Sequence, residues 1–183
     1  MGRAILPIVP AMSHLIVTPY SALETTVLRR RPSHVLTLMD EPVETPPTIE
    51  PKRHLRILVH DVTEPVEGAV APARDHIIDI LAFARGWDQS RPFLVHCWAG
   101  ISRSTAAAFI VLCDIHGPGH EDAIARGLRV RAPHAQPNRL MIRHADALLG
   151  SAGRMIQAIE ALGEARVAAE GAVTVLPLRL DAL

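Results

Sequence analysis

Aromatic side chains are scarce in this 183-residue chain: three Phe, two Trp and one Tyr, together 3% of it. Alanine, valine, leucine and isoleucine are therefore left to fill the core. Cysteine is nearly absent too, and Cys97 and Cys113 supply neither a disulfide framework nor a zinc-binding spacing. No charge of one sign dominates, since 19 Lys and Arg face 19 Asp and Glu. The chain thus has no global field to draw it to nucleic acid or to an anionic membrane, and any attraction for anions must be local. Long hydrophobic runs are missing as well. The longest, Thr105 to Cys113, is about half of the ~20 residues that a spanning helix needs. The first residues hold one Arg and an apolar stretch broken by Pro7 and Pro10, a poor secretory signal. Leu6 stands where a myristoylation signal wants Ser or Thr. No internal repeat is evident. What is present, 49% hydrophobic and 21% charged residues, is the balance of a globular protein, and the length predicts one domain over residues 1–183.

His14 to Thr18 and His34 to Leu38 are short β-branched or leucine-rich runs that suit strands, and His54 to Val59 alternates in the same manner. Between the last two lies Asp40 to Lys52. Its 41–52 portion, with Pro42, Pro46, Pro47 and Pro51 among three glutamates, predicts an acidic loop whose simplest role is a solvated connector. Ala73 to Trp87 predicts a helix, with Ile77, Ile78, Ile80, Leu81 and Phe83 apolar and Asp75, His76 and Arg85 on the wet face. Pro92 to His96 then reads as a buried strand, followed by a turn containing Gly100. The apolar helix Arg103 to His116 comes next and stops at Gly117-Pro118-Gly119. Further helical patterns span Glu121 to Arg131, Asn138 to Leu149 and Arg154 to Ala165. The tail over 166–183 suits either a last strand or an extended arm. Such an order predicts an α/β fold in which helices flank a mainly parallel central sheet. Ligands in such folds collect beyond the carboxyl ends of the strands, and Cys97 falls there.

A buried strand that turns sharply into a helix leaves the amides of the turn without ladder partners. Those N–H groups, at the positive end of the helix dipole, form a nest for an anion. Gly100 permits the close backbone approach that such a turn requires. A cysteine at the mouth of the nest has its thiolate stabilised by the same amides and dipole. Arg103, six positions on, can fold back and offer a planar fork of donors to two phosphate oxygens, which lysine cannot.

Cys97, five residues and Arg103, flanked by His96 and Ser104, resemble the signature of the protein tyrosine phosphatase superfamily. The wider run LVHCWAGISRSTAAA, from Leu94 to Ala108, is similar to that of its compact dual-specificity branch, bacterial-type tyrosine phosphatases included. The resemblance implies a dual-specificity-phosphatase-like fold and a cysteinyl-phosphate intermediate. Cys97 would be the nucleophile and Arg103 the phosphate clamp. Ser104 would stabilise the departing thiolate, and His96 would orient the cysteine. Trp98, Ala99, Gly100, Ile101 and Ser102 would supply backbone donors. It further places an aspartate on a mobile loop some thirty-odd residues before the cysteine. Asp61, in Val59-His60-Asp61-Val62, follows the third predicted strand 36 positions ahead of Cys97. A proton donor for the leaving group is typically worth about 10²–10⁴-fold. Glu64, Glu67 and Asp75 are its rivals.

The expected activity is hydrolysis of a phosphomonoester on a protein, phosphotyrosine first and phosphoserine or phosphothreonine second. A lipid or nucleotide phosphatase is the second enzymatic reading. The loop residues between Cys97 and Arg103 are all neutral, which argues against a highly phosphorylated substrate. A phosphate-binding module without turnover is the third reading, although the nucleophile, the clamp and the acid candidates are all retained. No cofactor, no metal, no nucleic acid and no membrane anchor is expected. The ten histidines are scattered, and Gly-Pro-Gly separates His116 from His120. A catalytic thiol fits a reducing compartment, hence the cytoplasm. Cys113 is read as core packing, with a protective disulfide to Cys97 as the alternative. Ala135-Gln136-Pro137-Asn138 resembles a turn of the same branch, with Asn138 capping the next helix. Trp98 is left between two positions, the substrate mouth and the interior.

Overall fold

The structure, a computed structural model, describes residues 13–44, 49 and 53–183. Five strands, β1 (His14–Pro19), β2 (His34–Met39), β3 (His54–Leu58), β4 (Phe93–Cys97) and β5 (Thr174–Pro177), form one sheet in the order β3-β2-β4-β1-β5. Every pairing is parallel except that of β5 with β1. The sheet is therefore mainly parallel, and the tail proves to be both an arm and a strand. Residues 161–173 run without a helix or strand before β5 closes the β1 edge.

Alternation along the strands divides the core. Leu15, Val17, Leu36, Leu38, Phe93 and Val95 point to one face, where they join the large apolar cluster. Ile16, Val35 and Leu94 point to the other, against Leu23 and Val27. Both faces are thus covered, as parallel strands require. The large cluster belongs to α2 (Arg74–Arg85), α3 (Arg103–His116), α4 (Glu121–Arg131), α5 (Arg139–Leu148) and α6 (Arg154–Glu160). Of these α3 is central: every residue from Arg103 to Cys113 is buried. Each fully buried Leu, Ile or Phe contributes about 1.5–3 kcal/mol, so small alanines at 106–108 serve by letting α3 approach the sheet closely.

The smaller face is covered by α1 (Leu23–Arg30), a helix that the sequence pattern does not announce. Its buried side chains are only Leu23, Thr26 and Val27. That stripe is too narrow, and too rich in β-branched residues, to stand out as a helical period. At the other end of the chain, α6 stops at Glu160 rather than Ala165, because Gly163 and the arm take over. Asn138 caps α5 as expected, its Oδ1 accepting from the amides of Leu140 and Met141 at 3.1 Å each. Among the described residues, no helix is long and apolar enough to cross a membrane. Most of the acidic loop, residues 45–48 and 50–52, lies outside the described residues.

Candidate active site

Cys97 is the last residue of β4 and is 2% exposed. The strand ends there, and α3 begins at Arg103, so six peptide units must reverse the chain. How they do so is visible in their carbonyls. That of Trp98 accepts the amide of Tyr20 at 2.9 Å, that of Ala99 the amide of Gly171 at 2.8 Å, and that of Ile101 the amide of Gln136 at 2.9 Å. The Ser102 carbonyl takes the amides of Ala106 at 2.9 Å and Asn138 at 3.3 Å. In a trans peptide the N–H lies opposite the C=O. With these four carbonyls engaged outside the loop, the amides of Ala99, Gly100, Ser102 and Arg103 face away from those partners. Among the described residues none of the amides of Trp98 to Ser102 is spent on a backbone carbonyl.

Gly100 makes this turn possible. Its φ is +69°, and a Cβ there would sit 2.8 Å from the backbone nitrogen of Pro19. Gly171, far away in sequence, is just as constrained. A Cβ on it would lie 2.4 Å from Nε2 of His134 and 2.9 Å from the carbonyl oxygen of Gly100. The arm thus presses on the back of the loop. It is tied down by the Gly171 amide, by a hydrogen bond from the Ser21 hydroxyl to the Glu170 carboxylate, and by the Arg166 amide on the Pro133 carbonyl. Burial and the nearby Arg129 hold His134 below the usual imidazole range, while the Gly100 backbone works the other way.

Arg103 is 3% exposed, a buried cation. Nη1 donates to the Val59 carbonyl at 2.7 Å, which fixes the side chain across the loop, while Nε has no hydrogen-bond partner. The nearest carboxylates stand at the outer limit of ion pairing, Asp40 Oδ1 at 3.9 Å from Nη1 and Asp61 Oδ2 at 4.0 Å from Nε. The charge is balanced, yet donors of the fork remain to be used. Ser104 is fully buried, with its Oγ 3.1 Å from Cys97 Sγ.

Asp61 stands on the segment after β3 and is tethered through one oxygen. Its Oδ1 accepts from Ser102 Oγ at 2.6 Å and from Asn138 Nδ2 at 2.8 Å, and Asn138 Nδ2 also lies 3.1 Å from the Val62 carbonyl. Asn138 therefore does more than cap α5: the same side chain holds the Asp61 carboxylate. Of the rivals, Glu64 and Glu67 are exposed, and Asp75 belongs to the first turn of α2. None of the three lines the cavity above Cys97, whereas Asp61 does.

That cavity, about 520 Å³, is walled by Cys97, Trp98, Ile101, Arg103, Pro137 and Ala168 among others. Trp98 thus stands at the mouth, 38% exposed, its ring edge-on to Tyr20 at 5.2 Å. Its indole N–H donates to Asp40 Oδ1 at 2.6 Å. Asp40 and Ala168 are site residues that the sequence did not reveal. In the sequence the first is the start of an acidic connector and the second part of an arm of undecided structure. Cys113 lies ten residues into α3, about 15 Å of helical rise from its first turn. Burial pushes its thiol well above the usual range. It is a core residue, and this placement opposes a disulfide with Cys97. Among the described residues no cluster of metal-ligating side chains occurs.

No protein-family model and no curated protein matches the chain. Among solved structures it is similar to the crystal structure of DUSP15, with a TM-score of 0.58 and 22% identity over 85% of this chain and 100% of that one. It is also similar to the PTP-2 phosphatase of Cydia pomonella, with a TM-score of 0.46 and 14% identity over 89% of this chain and 93% of that one. The first likeness identifies the architecture as a compact dual-specificity-phosphatase-like fold.

Proposed function

We propose that this chain is a cysteine-dependent phosphatase of phosphorylated proteins, acting on phosphotyrosine first and on phosphoserine or phosphothreonine second. The observation that carries the reading is the loop itself. The carbonyls of Trp98, Ala99, Ile101 and Ser102 are engaged outside it, no amide from Trp98 to Ser102 is spent on a backbone carbonyl among the described residues, and the buried Arg103 keeps Nε without a partner. A phosphate dianion matches that set of groups, because an arginine fork and a ring of amides meet its oxygens without a metal. The working unit is a single domain, placed in the cytoplasm by its need for a reduced thiol.

In the proposed reaction the Cys97 thiolate attacks phosphorus. An S–P bond forms, the P–O bond to the leaving group breaks, and the leaving oxygen takes a proton from Asp61. Oδ1 of Asp61 already accepts two hydrogen bonds, so Oδ2 is the oxygen that carries the proton. The bound dianion, seated on Arg103, screens that cation from the acid. In the second step Asp61 removes a proton from water, water oxygen attacks phosphorus, and the S–P bond breaks. Ser104 Oγ, 3.1 Å from Sγ, donates to the released thiolate.

Hydrolysis of a small aryl phosphate tests the reading. Cys97→Ser is expected to abolish turnover, and turnover at the wild-type rate would overturn the mechanism. Asp61→Asn is expected to lower kcat by about 10²–10⁴-fold, the usual worth of a general acid. An unimpaired Asp61→Asn would move that role to Glu64 or Glu67. A panel of phosphopeptides and phospholipids then separates protein from lipid substrates.

A further inference from the structure

Behind the loop, three polar side chains from three adjacent strands meet within the sheet. Thr37 on β2 is buried, and its Oγ1 lies 2.7 Å from Nε2 of His96 on β4 and 2.7 Å from Nε2 of His54 on β3. The register produces this meeting. Thr37 is directly opposite His96, and His54 is opposite Val35, two residues from Thr37 and hence on the same side of the sheet. Tyr20 stacks on the His96 ring at 6.0 Å, which leaves it little freedom to turn.

A hydroxyl has one proton, so Thr37 can donate to only one of the two rings and must accept from the other. Both rings are neutral at neutral pH. Burial first, then Arg56, lowers His54 to about 4. Burial first, then His54 and Arg103, lowers His96 to about 4 against an opposing contribution from the Cys97 backbone. Each ring therefore carries one N–H. The other nitrogen of His96, Nδ1, is buried with no partner at good hydrogen-bonding geometry. The nearby Cys97 backbone favours a proton on this ring, which is the effect of a carbonyl acceptor rather than an amide. A proton on Nδ1 is thus the cheaper arrangement, and it leaves Nε2 as an acceptor. The direction of the whole chain follows: His54 Nε2–H donates to Thr37 Oγ1, Thr37 O–H donates to His96 Nε2, and His96 Nδ1–H faces the Cys97 carbonyl.

We infer that Thr37 and His54 are positioning residues for the nucleophile, forming a relay that locks His96 in the Nδ1–H tautomer behind Cys97. Which nitrogen of an imidazole carries the proton is set by what the other nitrogen meets. Without the His54 donor, the Thr37 hydroxyl is free to reverse and accept from His96 Nε2–H. The reversed tautomer would turn a bare Nδ1 lone pair on the Cys97 carbonyl and loosen the first peptide of the loop. The inference rests on the phosphatase reading for its kinetic consequence but not for its structural one.

The test uses the full chain and two readouts. The 15N shifts of the His96 imidazole report its tautomer in the protein alone, and kcat and KM for 4-nitrophenyl phosphate report the consequence. Wild type is expected to show Nδ1 protonated. His54→Phe is expected to give mixed tautomers and a kcat lower by about fivefold with KM unchanged, the worth of one neutral hydrogen bond. His54→Gln, whose amide N–H can replace the donor, is expected to restore both. His54 is only partly buried, so these variants avoid the deeper disturbance of Thr37→Val. An Nε2-protonated His96 in wild type would overturn the relay, as would a His54→Phe spectrum and kcat identical to wild type. Should wild type hydrolyse no aryl phosphate, the phosphatase reading fails while the tautomer experiment still decides the relay.

Discussion

From Cys97 to Arg103 the loop of the candidate site is one unbroken stretch between β4 and α3, whereas the groups that surround it arrive separately. Asp40 follows β2, Asp61 follows β3, Asn138 precedes α5, and Ala168 and Gly171 belong to the arm after α6. The loop contributes the reactive atoms and the amides. The remote segments contribute the amides that hold its carbonyls outward, the Asp61 carboxylate, and the wall. Local sequence thus supplies the donors, while long-range contacts give the loop its curvature. Damage to the first should cost chemistry at little cost in folding. Damage to the second should cost stability and chemistry together.

The largest effect is expected inside the loop. Arg103→Lys keeps the charge but loses the fork, and kcat/KM for an aryl phosphate should fall by about 10²–10³-fold, as for loss of a transition-state donor. Its urea midpoint should stay close to that of wild type. A fall of less than threefold in kcat/KM would show that charge alone suffices there.

Gly171→Val attacks the surround. Its side chain would collide with His134 and with the Gly100 carbonyl, and overpacking of this kind costs about 1–3 kcal/mol. Urea unfolding should register that loss, and kcat should drop as the loop shifts. Stability lost with full kcat retained would separate the arm from the loop.

Asn138→Asp sharpens the comparison, since aspartate caps a helix as well as asparagine does. The α5 cap survives, but the Nδ2 donor to Asp61 is replaced by a like charge. Stability should fall, because a second carboxylate is buried at the place of a donor 2.8 Å from Asp61 Oδ1, and kcat should fall with it while KM moves little. Full kcat in Asn138→Asp beside a loss in Asn138→Ala would mean that only the cap matters.

A separate effect concerns acid. His54 and His96 are held at about 4 in the folded protein, below the unfolded value of 6.5. As pH falls from 7, the unfolded chain therefore binds protons first, and stability drops between about 6.5 and 4. Their contribution is complete below the lower value. Tm measured between pH 7 and 4.5 should fall, and should fall less in His54→Phe, which removes one of the two groups. An identical slope in the variant would assign the acid sensitivity to carboxylates instead.

How much of this was legible depended on where the information lay. Cys97, Arg103 and Ser104 were readable because a turn between a buried strand and an apolar helix is encoded by neighbours in the chain. Asp61 was readable only with the aid of a family resemblance, since Glu64 and Glu67 share its segment. Asp40 was hidden, because one carboxylate at the edge of an acidic loop looks like the rest until Trp98 and Arg103 are beside it. The helix α1 was hidden for another reason: it buries three side chains, too few to set a period. His54 and Thr37 gave no signal at all, as their meeting depends on strand register.

The sequence by itself determined the α/β alternation, the parallel strands buried on both faces, and a sharp turn into α3 at the end of β4. Those follow from apolar periodicity, from Gly100 and from the spacing of Cys97 and Arg103, all local quantities. Only the tertiary structure decided what encloses the loop: the Asn138 side chain shared between α5 and Asp61, the arm closing on Gly100, and the edge strand β5 on β1. These contacts join residues far apart in the chain, as between His14 and Pro177 on the paired strands β1 and β5. No local preference of the chain records such pairings, because the energy that fixes them comes from packing the whole sheet.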